Sequence, residues 1–184
     1  MTRSHASVAA ALVGAALAVS ACGYGLAGRN VSLPDHVKTI AVAPFANRTG
    51  VSDLDTVLQK AVLTELQSRG RWKVVPDATG ADVDAVVSGT IIGVPQTVKA
   101  FTSDTHLATR YEIAITASVE FKDLRDNNKM LWSNPSLSIT DEYPVTPGAS
   151  TGDASTFLRQ NTDVYQRLTA KFARSVVASM LEGM

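Results

Sequence analysis

The sequence predicts an α+β fold: a two-layer sandwich with two helices packed on one face of a single mixed β-sheet, in the order β-α-β-β-β-β-α. Three observations lead there. First, strand-length apolar runs fill the middle of the chain. The clearest alternates, with Tyr111, Ile113, Ile115, Ala117, Val119 and Phe121 on one face and Glu112, Thr116, Ser118 and Glu120 on the other. Second, two stretches repeat apolar residues at helical spacing, and each carries a single stripe. Third, a strand with one apolar face and helices with one apolar stripe are buried most economically against each other.

The chain begins with what reads as a leader. Arg3 and His5 make a weakly positive start, and Ala6 to Val19 form a small-residue apolar run. That run suits a signal peptide and is short for a membrane span. Val19-Ser20-Ala21-Cys22 then has the form of a lipobox, in which the cysteine is acylated and becomes the new N-terminus. Cys22 is the one cysteine in the chain, so no intrachain disulfide can form. A free buried cysteine is the alternative reading. Gly23, not Asp, follows Cys22, which under the sorting rule of enteric bacteria permits transport to the outer membrane. Residues 1–21 are therefore expected to be a signal peptide, and 22–36 a lipidated tether. Residues 37–184 should form one domain. After Val19 no apolar run reaches spanning length.

Thr39 to Phe45 reads as a buried strand ending near Pro44, and Asn47 to Gly50 as a loop. Ser52 is placed to cap a helix, with Asp53 and Asp55 in its first turn. Leu54, Val57, Leu58, Ala61, Val62 and Leu66 form its stripe, and Arg69-Gly70 its end. Trp72 to Val75 makes a short strand. Asp82 to Val94 makes a longer one, in which Gly89 and Gly93 imply a bulge or a close contact. Pro95 to His106 reads as a connection or frayed strand extension. The alternating strand follows, then a turn at Asp126-Asn127-Asn128 and a return strand to Tyr143. Pro135 within that return suggests an edge or a bulge. Pro144 to Asp153 reads as a loop. From Ser155 to Leu181 a helix is expected, with Tyr165, Leu168, Phe172, Val176 and Met180 as its stripe and Ala173 and Val177 beside it.

Seventeen positive residues balance seventeen negative ones. Arg3 leaves with the leader, so sixteen face seventeen in the mature chain, a net of −1. A nucleic-acid binder would be strongly basic, so that class is disfavoured. Catalytic signatures are missing too. His36 and His106 stand outside any metal-ligand spacing, and no nucleophile elbow, P-loop or dinucleotide fingerprint occurs. The expectation is a protein without catalytic activity, cofactor or metal. Asp82 and Asp84 share one side of a strand, and a strand-entry turn is their simpler role. Two basic groups are candidate contacts for phosphate or an acidic partner: Arg125 and Lys129 at the hairpin turn, beside Lys122, and Arg167, Lys171 and Arg174 along the last helix. A charged sheet edge and a solvated helix face are the plain alternatives.

Several segments resemble one family. They are Cys22-Gly23-Tyr24, Leu33-Pro34, the run from Ile40 to Thr49, and Ala81-Asp82 through Ser88-Gly89-Thr90-Ile91. Phe121-Lys122-Asp123-Leu124 and Arg167-Leu168 through Phe172-Ala173-Arg174 complete the set. Together they are similar to the lipopolysaccharide-assembly lipoproteins of the LptE family. The central pieces also occur in the lipoproteins CsgG and LpoB. The Cys-Gly-Tyr start, the Leu-Pro, and a hairpin followed by one long helix favour LptE. The resemblance implies an outer-membrane lipoprotein, anchored through Cys22 on the periplasmic side. It would plug an LptD-like barrel, bind lipopolysaccharide and assist its insertion into the outer leaflet. A regulatory or secretion-related role of the LpoB or CsgG kind is the alternative.

Overall fold

The computed structural model describes residues 33–79, 82–147 and 154–182. The signal-peptide reading of 1–21, the acylation of Cys22 and most of the tether lie outside the described residues, as do positions 148–153 of the expected loop. The elements are β1 (Thr39–Val42), β2 (Ala46–Asn47), α1 (Leu54–Ser68), β3 (Lys73–Val75) and β4 (Ala85–Gly93). They continue with β5 (Gln96–Phe101), β6 (Ala108–Asp123), β7 (Lys129–Pro144), α2 (Ala154–Gln160) and α3 (Thr162–Glu182).

The alternating strand is the spine. β7 runs antiparallel along one whole edge of β6, from Arg110↔Pro144 to Asp123↔Lys129. The other edge is shared: β4 pairs with Thr116 to Asp123, and β5 with Ala108 to Ile113. Pro95 sits at the break between β4 and β5, and its carbonyl still accepts the Ala114 N–H at 2.9 Å. β1 and β2 in turn share the far edge of β4, and β3 lies outside β1. These outer pairings are parallel, so the sheet is mixed. A parallel neighbour needs a crossover, and α1 supplies it between β1 and β3.

The apolar faces meet as the sequence implies. Leu54, Leu58, Val62 and Leu66 of α1 and Leu168, Phe172, Val176 and Met180 of α3 are buried in one cluster with Ile113, Ile115, Val119 and Phe121 of β6. Phe45 meets Phe172 edge to face at 6.3 Å. Gly89 lies beneath Phe45, so the expected close contact exists; the expected bulge falls between Ile91 and Gly93. Tyr111, Tyr143 and Phe157 stack in sequence and tie α2 to the sheet.

Several details differ from the sequence reading. The expected loop from Asn47 to Gly50 gives its first residue to β2, and of the two readings of Pro95 to His106, connection or strand extension, the structure has a strand, β5, separate from β4. Both segments lie along strand edges with open ladder positions, and those pairings override their weak propensity. Asp53, not Ser52, holds the helix cap position, at φ 60° and with no side-chain cap bond. The C-terminal helix is broken at Asn161, whose side-chain amide donates to the Phe157 carbonyl at 3.0 Å. The Asn161 backbone N–H donates to the same carbonyl at 2.9 Å, so the amide shares that acceptor with the ladder bond and does not replace it. Asn127 and Asn128 adopt φ 50° and 58°, the left-handed pair a tight hairpin demands. Pro135 is accommodated as expected: β7 is an edge strand, and its register against β6 shifts between Leu137 and Asn134.

Candidate functional site

The basic residues singled out in the sequence occupy three settings. The first is the sheet end where the chain enters β1. Asp84, buried one residue before β4, accepts the backbone N–H groups of Thr39 at 2.8 Å and Lys38 at 2.9 Å. Those two amide bonds hold its carboxyl below the usual range; burial opposes them, and Arg125 assists. The Arg125 Nε donates to Asp84 at 2.9 Å, and its other arm pairs with Asp82. Asp123, at the end of β6, is 1% exposed and accepts the Arg125 N–H at 2.9 Å, the Asp126 N–H at 3.2 Å and His36 Nε2 at 2.7 Å. Burial is the largest influence on Asp123 and pushes it up, yet these bonds together hold it low. Arg125 therefore clamps the strand entry, in line with the turn role read for Asp82 and Asp84. Lys129 faces Asp126 at 3.6 Å, with both side chains exposed.

The second setting is the helix strip. Asp141 of β7 is 8% exposed and points at α3. Arg167 Nε donates to it at 3.0 Å, and Lys171 pairs with its other oxygen. Burial pushes the Asp141 carboxyl up, but Lys171 and then Arg167 outweigh it and hold it low. Two of the three strip cations thus fasten α3 to the sheet. Arg174 is different: its Nε reaches the Ala170 carbonyl at 3.4 Å, and no ion pair forms to it among the described residues.

Arg174 borders the third setting, a groove of about 320 Å³ between α1 and α3. Val57, Ala61, Ala170 and Ala173 line its floor, with Lys60, Thr64, Glu65 and Arg174 at the margin. Lys60 was missed in the sequence: its spacing from the α1 stripe holds no signal of Arg174 across the gap. The opposite sheet face is rich in hydroxyls, with Thr116 and Ser138 3.2 Å apart. Its charges pair across strands: Lys99 with Glu112 at 3.1 Å, Arg110 with Glu142 at 3.3 Å, and Lys122 with Glu120. Among the described residues no cluster of side chains is arranged to hold a metal, and no helix is long and apolar enough to cross a membrane.

The family model described as "LptE: Lipopolysaccharide-assembly" matches residues 37–180, well over half of the chain. The chain belongs to the LptE family. It is a lipopolysaccharide-assembly lipoprotein of the outer membrane, in a family that is not enzymatic. No curated protein matches the chain by sequence. Among solved structures, an uncharacterized lipoprotein B from Nitrosomonas europaea shares the fold. It has 14% identity and a TM-score of 0.52, with 86% of this chain and 90% of that one covered. The rare lipoprotein B from Shewanella oneidensis is similar at 16% identity and a TM-score of 0.47, covering 76% and 92%. PelC from Paraburkholderia phytofirmans, a dodecamer, stands at 19% and 0.44, covering 78% and 88%.

Proposed function

We propose that this LptE-family protein assembles with an LptD-like outer-membrane barrel and assists lipopolysaccharide insertion into the outer leaflet. The observation that carries the reading is the family match across residues 37–180. In this reading residues 1–21 are removed, and Cys22 is acylated as the first mature residue. Residues 22–36 tether the domain on the periplasmic side. The protein performs no catalysis; it binds and positions. Its surface chemistry is compatible with a barrel interior, which is polar in outer-membrane barrels. The hydroxyl-rich sheet face with internally paired charges would meet such a wall without leaving unpaired charge. Of the basic candidates, Arg125, Lys129, Arg167 and Lys171 are engaged by the chain's own carboxylates, which leaves Arg174 best placed for an external anion.

The test is cross-linking of the tagged full-length protein in native outer membranes, followed by identification of what copurifies. A large barrel protein with bound lipopolysaccharide is the expected result. Recovery of no barrel would sink the proposal and favour an activator or secretion lipoprotein of the LpoB or CsgG kind.

A further inference from the structure

Lipopolysaccharide carries phosphate groups on an acylated sugar core, so its binding site needs unneutralised cations beside an apolar surface. We propose that the groove between α1 and α3 is that site, with phosphate held between Lys60 and Arg174 and one acyl chain on the floor of Val57, Ala61, Ala170 and Ala173. This assignment rests on reading the protein as a lipopolysaccharide binder.

Arg125 at the hairpin and the first two cations of the α3 strip are answered from within the chain. Arg125 is held by Asp82 and Asp84, and Arg167 and Lys171 by Asp141. Moving them to a ligand would leave Asp84 and Asp141, both buried, without their cations, which is costly. The sheet-end depression beside Arg125 carries Asp35, Asp82, Asp84 and Asp126 against Lys38 and Arg125, so it repels phosphate. The interhelical groove has the opposite balance. Its single acid, Glu65, is tied to Arg69 at 2.9 Å. Lys60 and Arg174 make no ion pair among the described residues, and both are exposed. Arg48, Arg71, Lys73 and Arg159 also make no ion pair among the described residues, but they line neither depression.

The floor explains the second half of the ligand. Alanines at 61, 170 and 173 leave a gap between the helices that longer side chains would fill. At about 320 Å³ the groove is at the small end of ligand sites, suited to one chain and a phosphate and not to a whole glycolipid. Because the site is open, the charge contacts are screened by salt.

The experiment uses the mature chain in detergent. The probes are a diphosphorylated, acylated glucosamine disaccharide and its dephosphorylated form. Lys60→Gln with Arg174→Gln should weaken binding of the phosphorylated probe by about tenfold at low salt, flatten its salt dependence, and leave the dephosphorylated probe unchanged. Ala170→Trp, at an exposed floor position, keeps both charges and should weaken both probes. Arg71→Gln with Lys73→Gln removes the same charge elsewhere and should change binding less than about twofold. Thermal melts of all variants report folding, and none of these residues is buried. If wild type binds and the Lys60/Arg174 variant binds as tightly, the groove is wrong while lipopolysaccharide binding stands. If wild type binds neither probe, both fail. Equal competition by an acidic peptide would make the groove a protein contact and overturn the assignment.

Discussion

Gly89→Ala tests the packing that joins the two layers. A Cβ at position 89 would lie 2.6 and 2.8 Å from two ring carbons of Phe45 and 2.7 Å from the Ser118 carbonyl oxygen. All three distances are shorter than real Cβ contacts. Neither neighbour gives way easily. Phe45 is 2% exposed and sits edge-on to Phe172. Ser118 is backbone of β6, next to the Gly89↔Val119 pair, so relief means spreading β4 from β6. Overpacking costs about 1–3 kcal/mol, and two constrained neighbours put this site at the top of that range. Removing a glycine from a strand returns about 0.5–1 kcal/mol. The net expectation is a loss of about 2–2.5 kcal/mol, or a melting point lower by roughly 4–10 °C for a domain of this size. Gly93→Ala is the control: its Cβ would meet nothing nearer than Pro95 at 3.9 Å, so stability should hold or rise slightly. Urea titration of the mature chain reads both, with m unchanged. Adding Phe45→Leu to Gly89→Ala should recover about 1 kcal/mol through coupling. A Gly89→Ala loss below about 0.5 kcal/mol, or an equal loss at Gly93, would refute the close-contact argument.

Further outcomes follow from the same geometry. Leu58→Ala and Leu66→Ala, both at fully buried positions, should each cost about 2–5 kcal/mol in the same titration. Asp84, Asp123 and Asp141 have lowered carboxyl pKa values in the fold, so the native state binds fewer protons than the unfolded chain in acid. Their stabilisation is therefore complete above the unfolded value of about 3.9 and is lost as pH falls through the lower native values. Asp84→Asn should cost about 1–3 kcal/mol at pH 7 and make the acid limb of a stability–pH curve shallower; an unchanged limb would contradict the assignment. Arg125 is half exposed, so Arg125→Gln should cost less than about 1 kcal/mol. Mass spectrometry of the N-terminal peptide from membrane-extracted protein should show acylated Cys22 and nothing before it, with Cys22→Ala as control. An unmodified Cys22 would end the anchor proposal.

Much of the fold was legible because its signals are local. The period-two alternation of β6 and the stripes of α1 and α3 are visible within a dozen residues. So are the turn at Asn127-Asn128 and the glycine after α1, which takes φ 65°. What escaped depends on distant pairing. Ala46–Asn47 becomes a strand only because Thr90 and Ile91 lie beside it, and Gln96–Phe101 only because β6 extends past the end of β4. Two residues of β2 hold no periodicity to read. The break at Asn161 is a middle case. Asparagine is a weak helix former, but buried apolar residues stand on both sides of it, Phe157 and Leu158 before and Val164 after, and mask the interruption.

The charged residues divide by the same logic. Asp141 was the available clue to the fate of the helix strip. It falls in phase with Leu137, Ile139 and Tyr143, the β7 residues on the helix-facing side. An acid in that phase is either unsatisfied or paired by whatever packs above it, and the element above is α3. Spacing on α3 then decides which cations it takes. Arg167 and Lys171 are four residues apart, one turn, and converge on the two Asp141 oxygens. Arg174 lies seven residues from Arg167, about 10 Å further along the axis, beyond the reach of that carboxylate. It turns instead to the gap beside α1, where Lys60 has no counter-ion among the described residues. A strip that looks uniform in sequence is therefore two things in space: a fastening for the helix and one wall of an open, positively charged groove.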